Sequence, residues 1–145
     1  MKLNMKFLAL LSILMISVSC KKEGCTDMDA TSYNEEAKTD DGTCDFSGSK
    51  VFWYKDSTSI NLIDNDATTL TYYVDGEIVG TSPTYVSWEV APNCEASVAV
   101  SVSKNLGSLK EQSFSYRVED QTGAEYWSGT LTFNAATCEP VELSF

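Results

Sequence analysis

The stretch TLTYYVDGEIVGTS, residues 69–82, decides the fold class of this chain. Two runs rich in β-branched and aromatic residues flank the dipeptide Asp75-Gly76. Both turn residues tolerate the positive φ angles that a two-residue hairpin connection requires. The stretch therefore predicts an antiparallel β-hairpin, one of several strand pairs in the last two-thirds of the chain.

Further segments have the same strand character. Val98, Val100 and Val102 alternate with small residues, which is the period of a strand with one buried face. Other strand-like segments are residues 50–55, 84–90, 113–120, 124–134 and 140–145, and we find no helical period beyond the N-terminal region. About seven short strands joined by Gly, Asn and Asp turns predict an all-β fold, a single antiparallel β-sandwich over residues 51–145.

The N-terminal residues have the order of a secretory signal peptide. Lys2 and Lys6 come before or at the start of an uncharged run, residues 7–18. In a helix this run would rise about 18 Å, well short of the roughly 30 Å hydrocarbon core of a bilayer. The alternative, an N-terminal core helix, lacks a polar face. We therefore expect residues 1–19 to be a signal that is removed.

The four residues SVSC at positions 17–20 resemble the lipobox of bacterial lipoproteins, with Ser17 at a position that is usually Leu. The resemblance implies that Cys20 becomes the lipidated first residue of the mature chain. Several acyl chains would hold a small domain firmly on a bilayer. We therefore expect a lipid-anchored protein of the cell envelope, with the outer membrane as the favoured location and the face unresolved.

Composition narrows the possible functions. The 145-residue precursor carries a formal charge of −11. Removal of residues 1–19 takes away two lysines and no acidic residue, which leaves eight basic and 21 acidic residues and a charge of −13. With a single arginine, Arg117, the chain has no basic surface for nucleic acid. It contains no histidine, the usual general base and a common zinc ligand. We therefore expect neither a nucleic-acid partner nor an enzyme.

Five cysteines are an odd number for an exported protein. Lipidation of Cys20 leaves four, which permit three pairings. We favour Cys25 with Cys44 and Cys94 with Cys138, because each pair then stays inside one compositional unit. Loop closure would stabilise the fold by about 3 and about 4 kcal/mol respectively. A four-thiolate zinc site is disfavoured, because it needs closely spaced Cys pairs.

The chain between the signal and the sandwich divides into short units. Residues 20–24 form a charged tether, residues 25–46 an acidic segment bounded by cysteines, and SGSK at 47–50 a small-residue joint. GCTDMDATSYNEEAKTDDGTC, residues 24–44, resembles a motif of secreted Bacteroidetes proteins, GCTDPxAxNYNPxAxxDDGSC. The differences are Met28 and Glu35 in place of Pro, Ser32 in place of Asn, and Thr43 in place of Ser.

The acidic segment supplies candidate ligands for calcium, the one cofactor that the sequence suggests. Calcium prefers six to eight oxygen ligands, and the candidates are Asp27, Asp29, Asn34, Asp40 and Asp41. A standard twelve-residue calcium loop does not fit. Counted from Asp27, its position six is Ser32 in place of Gly and its position twelve is Lys38 in place of Glu. The alternative is that these residues form turns and caps, while their charge keeps a membrane-proximal spacer solvated.

The C-terminal domain resembles small β-sandwich modules of Bacteroidetes lipoproteins, similar to carbohydrate-binding or surface-presented Ig-like and PEGA-like domains. The likeness rests on residues 52–53, 72–80, 126–133 and 138–143. It implies fold and location only, because that family has no agreed activity.

Aromatic residues suggest how such a domain would bind a partner. Neighbours in a strand face opposite ways, so one member of each adjacent pair should be exposed. The candidate binding surface is Trp88, Tyr126 and Trp127, and the alternative is that these rings fill the core.

We expect a non-enzymatic module that binds a glycan or another envelope protein, or is presented on the surface. A purely structural spacer is the main alternative. A carboxylate-pair glycan hydrolase is disfavoured, because 95 residues leave little room for a deep cleft.

Overall fold

The computed structural model describes residues 21–145, so the predicted signal peptide and Cys20 lie outside the described residues. Seven strands and one helix follow each other along this part of the chain. The strands are β1 (Phe46–Trp53), β2 (Thr69–Val74), β3 (Glu77–Pro83), β4 (Val100–Gly107), β5 (Glu111–Asp120), β6 (Glu125–Asn134) and β7 (Cys138–Glu142). The helix α1 (Asp56–Asp64) lies between β1 and β2.

The strands form two packed sheets, which confirms the predicted all-β sandwich. One sheet has the order β4-β1-β7 and the other the order β3-β2-β5-β6. All pairs are antiparallel except β1 and β7, which are parallel. The turn after β6 causes this difference from a fully antiparallel sandwich. It brings the chain beside β1, where the Ala136 N–H donates to the Ser47 carbonyl and the Ser49 N–H to the Thr137 carbonyl.

The hairpin predicted around Asp75-Gly76 is confirmed as β2 and β3. Asp75 and Gly76 have φ angles of 57° and 80°, as a type I′ turn requires. Leu70, Tyr72 and Val74 alternate along β2 and are all buried. The hairpin therefore directs one face of β2 into the core and leaves the opposite face of its sheet outward.

Residues 47–50 are not a joint, because β1 begins at Phe46 and runs through them. The sandwich therefore starts earlier than residue 51, and its central strand in the three-stranded sheet is β1. Gly48 lies where β1 meets the end of β6: a Cβ atom there would overlap the carbonyl oxygen of Asn134. The glycine of this segment therefore permits a close approach between two backbones.

The expectation of no helix beyond the N-terminus is wrong for residues 56–64. The buried face of α1 consists of Thr58, Ser59 and Leu62, whereas Ile60 and Ile63 are exposed. Leu62 is the one apolar anchor of the helix in the core, and hydroxyl groups supply its other contacts: Ser59 Oγ donates to the carbonyl oxygen of Thr84 at 2.7 Å. A helix attached by hydrogen bonds has no apolar stripe, so hydrophobic periodicity gives no sign of it.

Two predicted strands also differ from the structure: one does not form, and the other begins later than predicted. Residues 84–90 form turns and irregular chain and are not a strand. Thr84 is buried there because its hydroxyl donates to the Ala67 carbonyl at 2.8 Å. The strand predicted from the alternation of Val98, Val100 and Val102 begins only at Val100, and Val98 is exposed. In both places an apolar alternation occurs without a neighbouring strand to pair with.

Substitution of Gly48 tests the close approach of β1 and β6. We expect Gly48→Ala to lower the free energy of unfolding by about 1–3 kcal/mol, because the added methyl group meets backbone that cannot move aside. Urea denaturation with both disulfides intact measures the change. The control Ser49→Ala, at the next position of the same strand, should stay within about 0.5 kcal/mol of wild type. Equal stability of Gly48→Ala and wild type would contradict the close approach.

Candidate functional site

The acidic segment packs against the sandwich. Its ends are joined by the Cys25–Cys44 disulfide, and Cys25, with 1% of its surface exposed, belongs with Ala30 to the same core cluster as Phe46 and Leu106. The segment is therefore a cap on the domain. The second disulfide, Cys94–Cys138, ties the chain before β4 to the start of β7. These are the two pairs predicted from the sequence.

The structure places the five calcium candidates in turns and in an ion pair. Asp40 and Asp41 each accept a hydrogen bond from the backbone N–H two residues further on, and Asn34 accepts one from Glu36 in the same way. Asp27 and Asp29 both contact Lys110, at 2.7 and 3.1 Å. Within residues 21–145, no three His, Cys, Asp or Glu side chains converge as a metal site would require. Calcium binding stays a prediction, whereas the structure shows Asn34, Asp40 and Asp41 stabilising turns.

Lys110 joins the cap to the sandwich electrostatically. Its ammonium group hydrogen-bonds to Asp27, and this contact together with the backbone N–H of Asp29 lowers the pKa of the Asp27 carboxyl. In turn, Asp27 and Asp29 raise the pKa of Lys110. The same ammonium lies 5.5 Å from the ring centre of Phe46, at the start of β1, within the range of a cation–π interaction.

The predicted aromatic surface is divided between two places, and all three of its residues are half-buried. Trp88 borders a shallow depression beside Lys55, Asp56 and Glu89. Tyr126 and Trp127 form a cluster with Phe145, in which the Trp127 and Phe145 ring centres are 5.1 Å apart. Their role in binding stays a prediction.

A β-bulge explains why Tyr126 and Trp127 do not face opposite ways. Val118 pairs with Trp127 and Glu119 with Glu125, so Tyr126 is an extra residue between two registered pairs. Such a bulge bends the strand and redirects side chains. Both rings pack against the core, and the expectation that one of them points outward is wrong for this pair. It is correct for Tyr72 and Tyr73, of which Tyr72 is buried and Tyr73 half-buried on the opposite face.

The outward face of the four-stranded sheet is rich in hydroxyl groups. We call it the outer face; it includes Thr71, Tyr73, Ser113, Ser115, Arg117, Ser128, Thr130 and Thr132. Tyr73 and Arg117 are directly opposite each other on β2 and β5. The guanidinium carbon of Arg117 lies 3.7 Å from the ring centre of Tyr73. The only arginine of the chain is thus stacked flat on an aromatic ring in the middle of the sheet.

A shallow cavity of about 250 Å³ lies beside this stack. We call it the Arg117 cavity; it is lined by Tyr73, Gly76, Ser115, Tyr116, Arg117, Glu125, Ser128 and Gly129. Arg117 donates from Nε to Glu119, which raises the pKa of the guanidinium further. Within residues 21–145 neither Nη group makes a close hydrogen bond, although the nearby Tyr73 hydroxyl also raises the pKa of the guanidinium. Ser128 Oγ donates to Glu125 Oε1 at 2.6 Å.

This site combines hydrogen-bond donors and acceptors at one open depression. The Nη groups are donors, the Glu125 carboxylate is an acceptor, and the serine hydroxyls can be either. Sequence reasoning did not find the site, although the chain's single arginine and the Ser/Thr alternation of β5 and β6 were visible. The missing information is the register that pairs Arg117 with Tyr73 across two strands.

Comparison with known proteins adds no relative. No protein-family model matches the chain, and neither a curated protein nor a solved structure is detectably similar to it. Over residues 21–145, none of the helical structure has the length and apolar character that crossing a bilayer demands.

Removal of the Lys110 ammonium tests the contact between cap and sandwich. We expect Lys110→Met to raise the pKa of Asp27 toward its ordinary value of 3.8. Because the folded pKa of Asp27 is lowered, the ion pair stabilises the docked cap above the ordinary pKa, and this contribution is lost as the pH falls through the lowered value. A carboxyl carbon NMR titration measures the pKa.

Lys104→Met is the matched control, because Lys104 contacts Asp75 and Glu77 at the hairpin and not the cap. It should leave the pKa of Asp27 unchanged. The same Asp27 titration curve in Lys110→Met as in wild type would contradict the proposed contact.

Proposed function

We propose that the protein is a lipid-anchored, non-enzymatic binding module of the cell envelope that contacts its ligand through the outer face. The observation that carries this proposal is the Arg117 cavity, where an arginine stacked on Tyr73 and the Glu125 carboxylate line one open depression. The Arg117 side chain is 37% exposed, so its Nη groups can reach an external partner. Donors that Tyr73 and Glu119 hold in place are suited to such a partner.

The surroundings of the cavity support reversible binding. The depression is open and shallow, and side-chain hydroxyl groups extend from it along β5 and β6. Hydrolysis by two carboxyl groups would need both of them free at one cleft. Glu125 lines this cavity, whereas Glu119, opposite it on β5, is engaged by Arg117. A binding role therefore fits the lining better than a carboxylate-pair mechanism.

A structural role is the second candidate, and one observation favours it. The acidic cap is joined to the sandwich by core packing of Cys25 and Ala30 and by the contacts of Lys110. In a lipid-anchored chain, this arrangement would leave little free chain between bilayer and domain, because Lys22 and Glu23 already pair with the cap. Such a compact unit is suited to holding a surface at a short distance from the membrane.

The lipid anchor has a direct test in the precursor. We expect Cys20→Ser to move the protein from the membrane fraction to the soluble fraction when it is expressed in a Bacteroidetes host, because the acyl chains have no attachment point. Fractionation and the mass of the N-terminal peptide measure the outcome. Ser19→Ala is the control, since it keeps a small residue before Cys20. Membrane association of Cys20→Ser equal to wild type would contradict lipidation at this position.

The binding role of the outer face is tested by NMR mapping with an envelope extract that contains soluble polysaccharide and protein. We expect amide shifts to concentrate on β2, β5 and β6 around Arg117, and we expect Ser128→Trp to abolish them by filling the cavity. Thr132→Trp is the control, since it lies on the same face of β6 about 13 Å further along the strand. Unchanged spectra on the outer face, or equal shifts in Ser128→Trp and wild type, would exclude this site.

A further inference from the structure

The chemistry of the Arg117 cavity narrows the kind of ligand. Resting on the proposed function, we propose that this cavity binds a neutral hexose residue of a glycan through two vicinal hydroxyl groups. One hydroxyl would accept from the Nη groups of Arg117, and its neighbour would donate to the carboxylate of Glu125. A sugar hydroxyl can both donate and accept a hydrogen bond. Two neighbouring hydroxyls can therefore satisfy the Arg117 donor and the Glu125 acceptor at the same time.

The orientation of the guanidinium group supports this assignment. One face of the group is stacked on Tyr73, and Nε is engaged by Glu119. The edge formed by the two Nη atoms is what remains for a ligand. Since Tyr73 and Glu119 hold the plane in place, the ligand does not have to order a flexible side chain, which lowers the entropic cost of binding. Tyr73 and Glu119 are thus positioning residues.

The charge balance of the site favours a neutral ligand over an acidic one. Glu119 already neutralises Arg117, and Glu125 adds a further negative charge to the lining. Asp75 and Glu77, at the hairpin beside Gly76, are both exposed, with Lys104 as their cation. A uronic acid or a phosphorylated sugar would therefore meet a site of net negative charge in a chain of net charge −11.

The size of the cavity suits a small ligand unit. Its volume of about 250 Å³ lies below the roughly 300 Å³ at which pockets for drug-sized molecules begin. The open hydroxyl-rich surface of β5 and β6 leaves room for neighbouring sugar units of the same chain.

A glycan array tests the inference with the mature lipidated protein in detergent. The array carries neutral hexose oligosaccharides and the uronic acid oligosaccharides of the same linkage, for example galactose and galacturonic acid oligomers. We expect binding to neutral members and weaker binding to their acidic counterparts. Arg117→Lys and the isosteric Glu125→Gln should each weaken binding about tenfold or more. The lysine loses the planar pair of Nη donors, and the glutamine replaces a charged acceptor with a neutral one. Thr132→Ala is the control and should bind as wild type does.

The outcomes separate this inference from the proposed function. Preference for uronic acid oligomers, lost in Arg117→Lys, would overturn the neutral-hexose assignment and keep the outer face as a binding site. Absence of glycan binding, while an envelope extract still shifts the amides around Arg117, would do the same. Glycan binding that Arg117→Lys and Glu125→Gln leave intact would place the glycan elsewhere and overturn the inference. Neither glycan binding nor outer-face shifts would overturn both proposals.

Discussion

Hydrogen bonding on both edges of β1 is the constraint on which the rest of the structure depends. β1 pairs with β4 on one side and with β7 on the other, and the acidic cap and α1 are attached at its two ends. Gly48 permits the contact with the end of β6, and nearby the buried Lys50 pairs with Glu139 of β7. Glu139 also accepts from Asn134 of β6 at 3.1 Å. Through Glu139, the buried Lys50 of one sheet is thus connected to Asn134 of the other. Removal of the Glu139 carboxylate would leave a buried charge without a partner, which is strongly destabilising.

The outer face shows how strand register creates a chemical site. Arg117 would be one isolated cation in an acidic chain, but its position opposite Tyr73 and two residues before Glu119 gives it a fixed orientation. Stacking uses one face of the guanidinium and the Glu119 contact uses Nε. The two Nη groups form the edge of the guanidinium that neither of these contacts uses. The same register places Ser115 and Ser128 around it.

The acidic cap illustrates the difference between the composition of a segment and its use. Its aspartates suggest a cation site, yet Asp40 and Asp41 organise turns, and Asp27 and Asp29 contact Lys110 of the sandwich. Short polar side chains that bond to backbone two residues further on are common in tight loops. The disulfide and the packing of Cys25 then join the segment to the core.

The sequence by itself determined the features that depend on near neighbours. The hairpin at Asp75-Gly76, the alternation along β2, β5 and β6, and the pairing of cysteines within compositional units all follow from local pattern. Only the tertiary structure decided the features that depend on distant partners: the helix attached by Thr58 and Ser59, the parallel pairing of β7, the bulge at Tyr126 and the Arg117 cavity. The physical reason is that periodicity reports burial of apolar faces. It is silent about hydroxyl hydrogen bonds and about the register between strands that lie far apart in the chain.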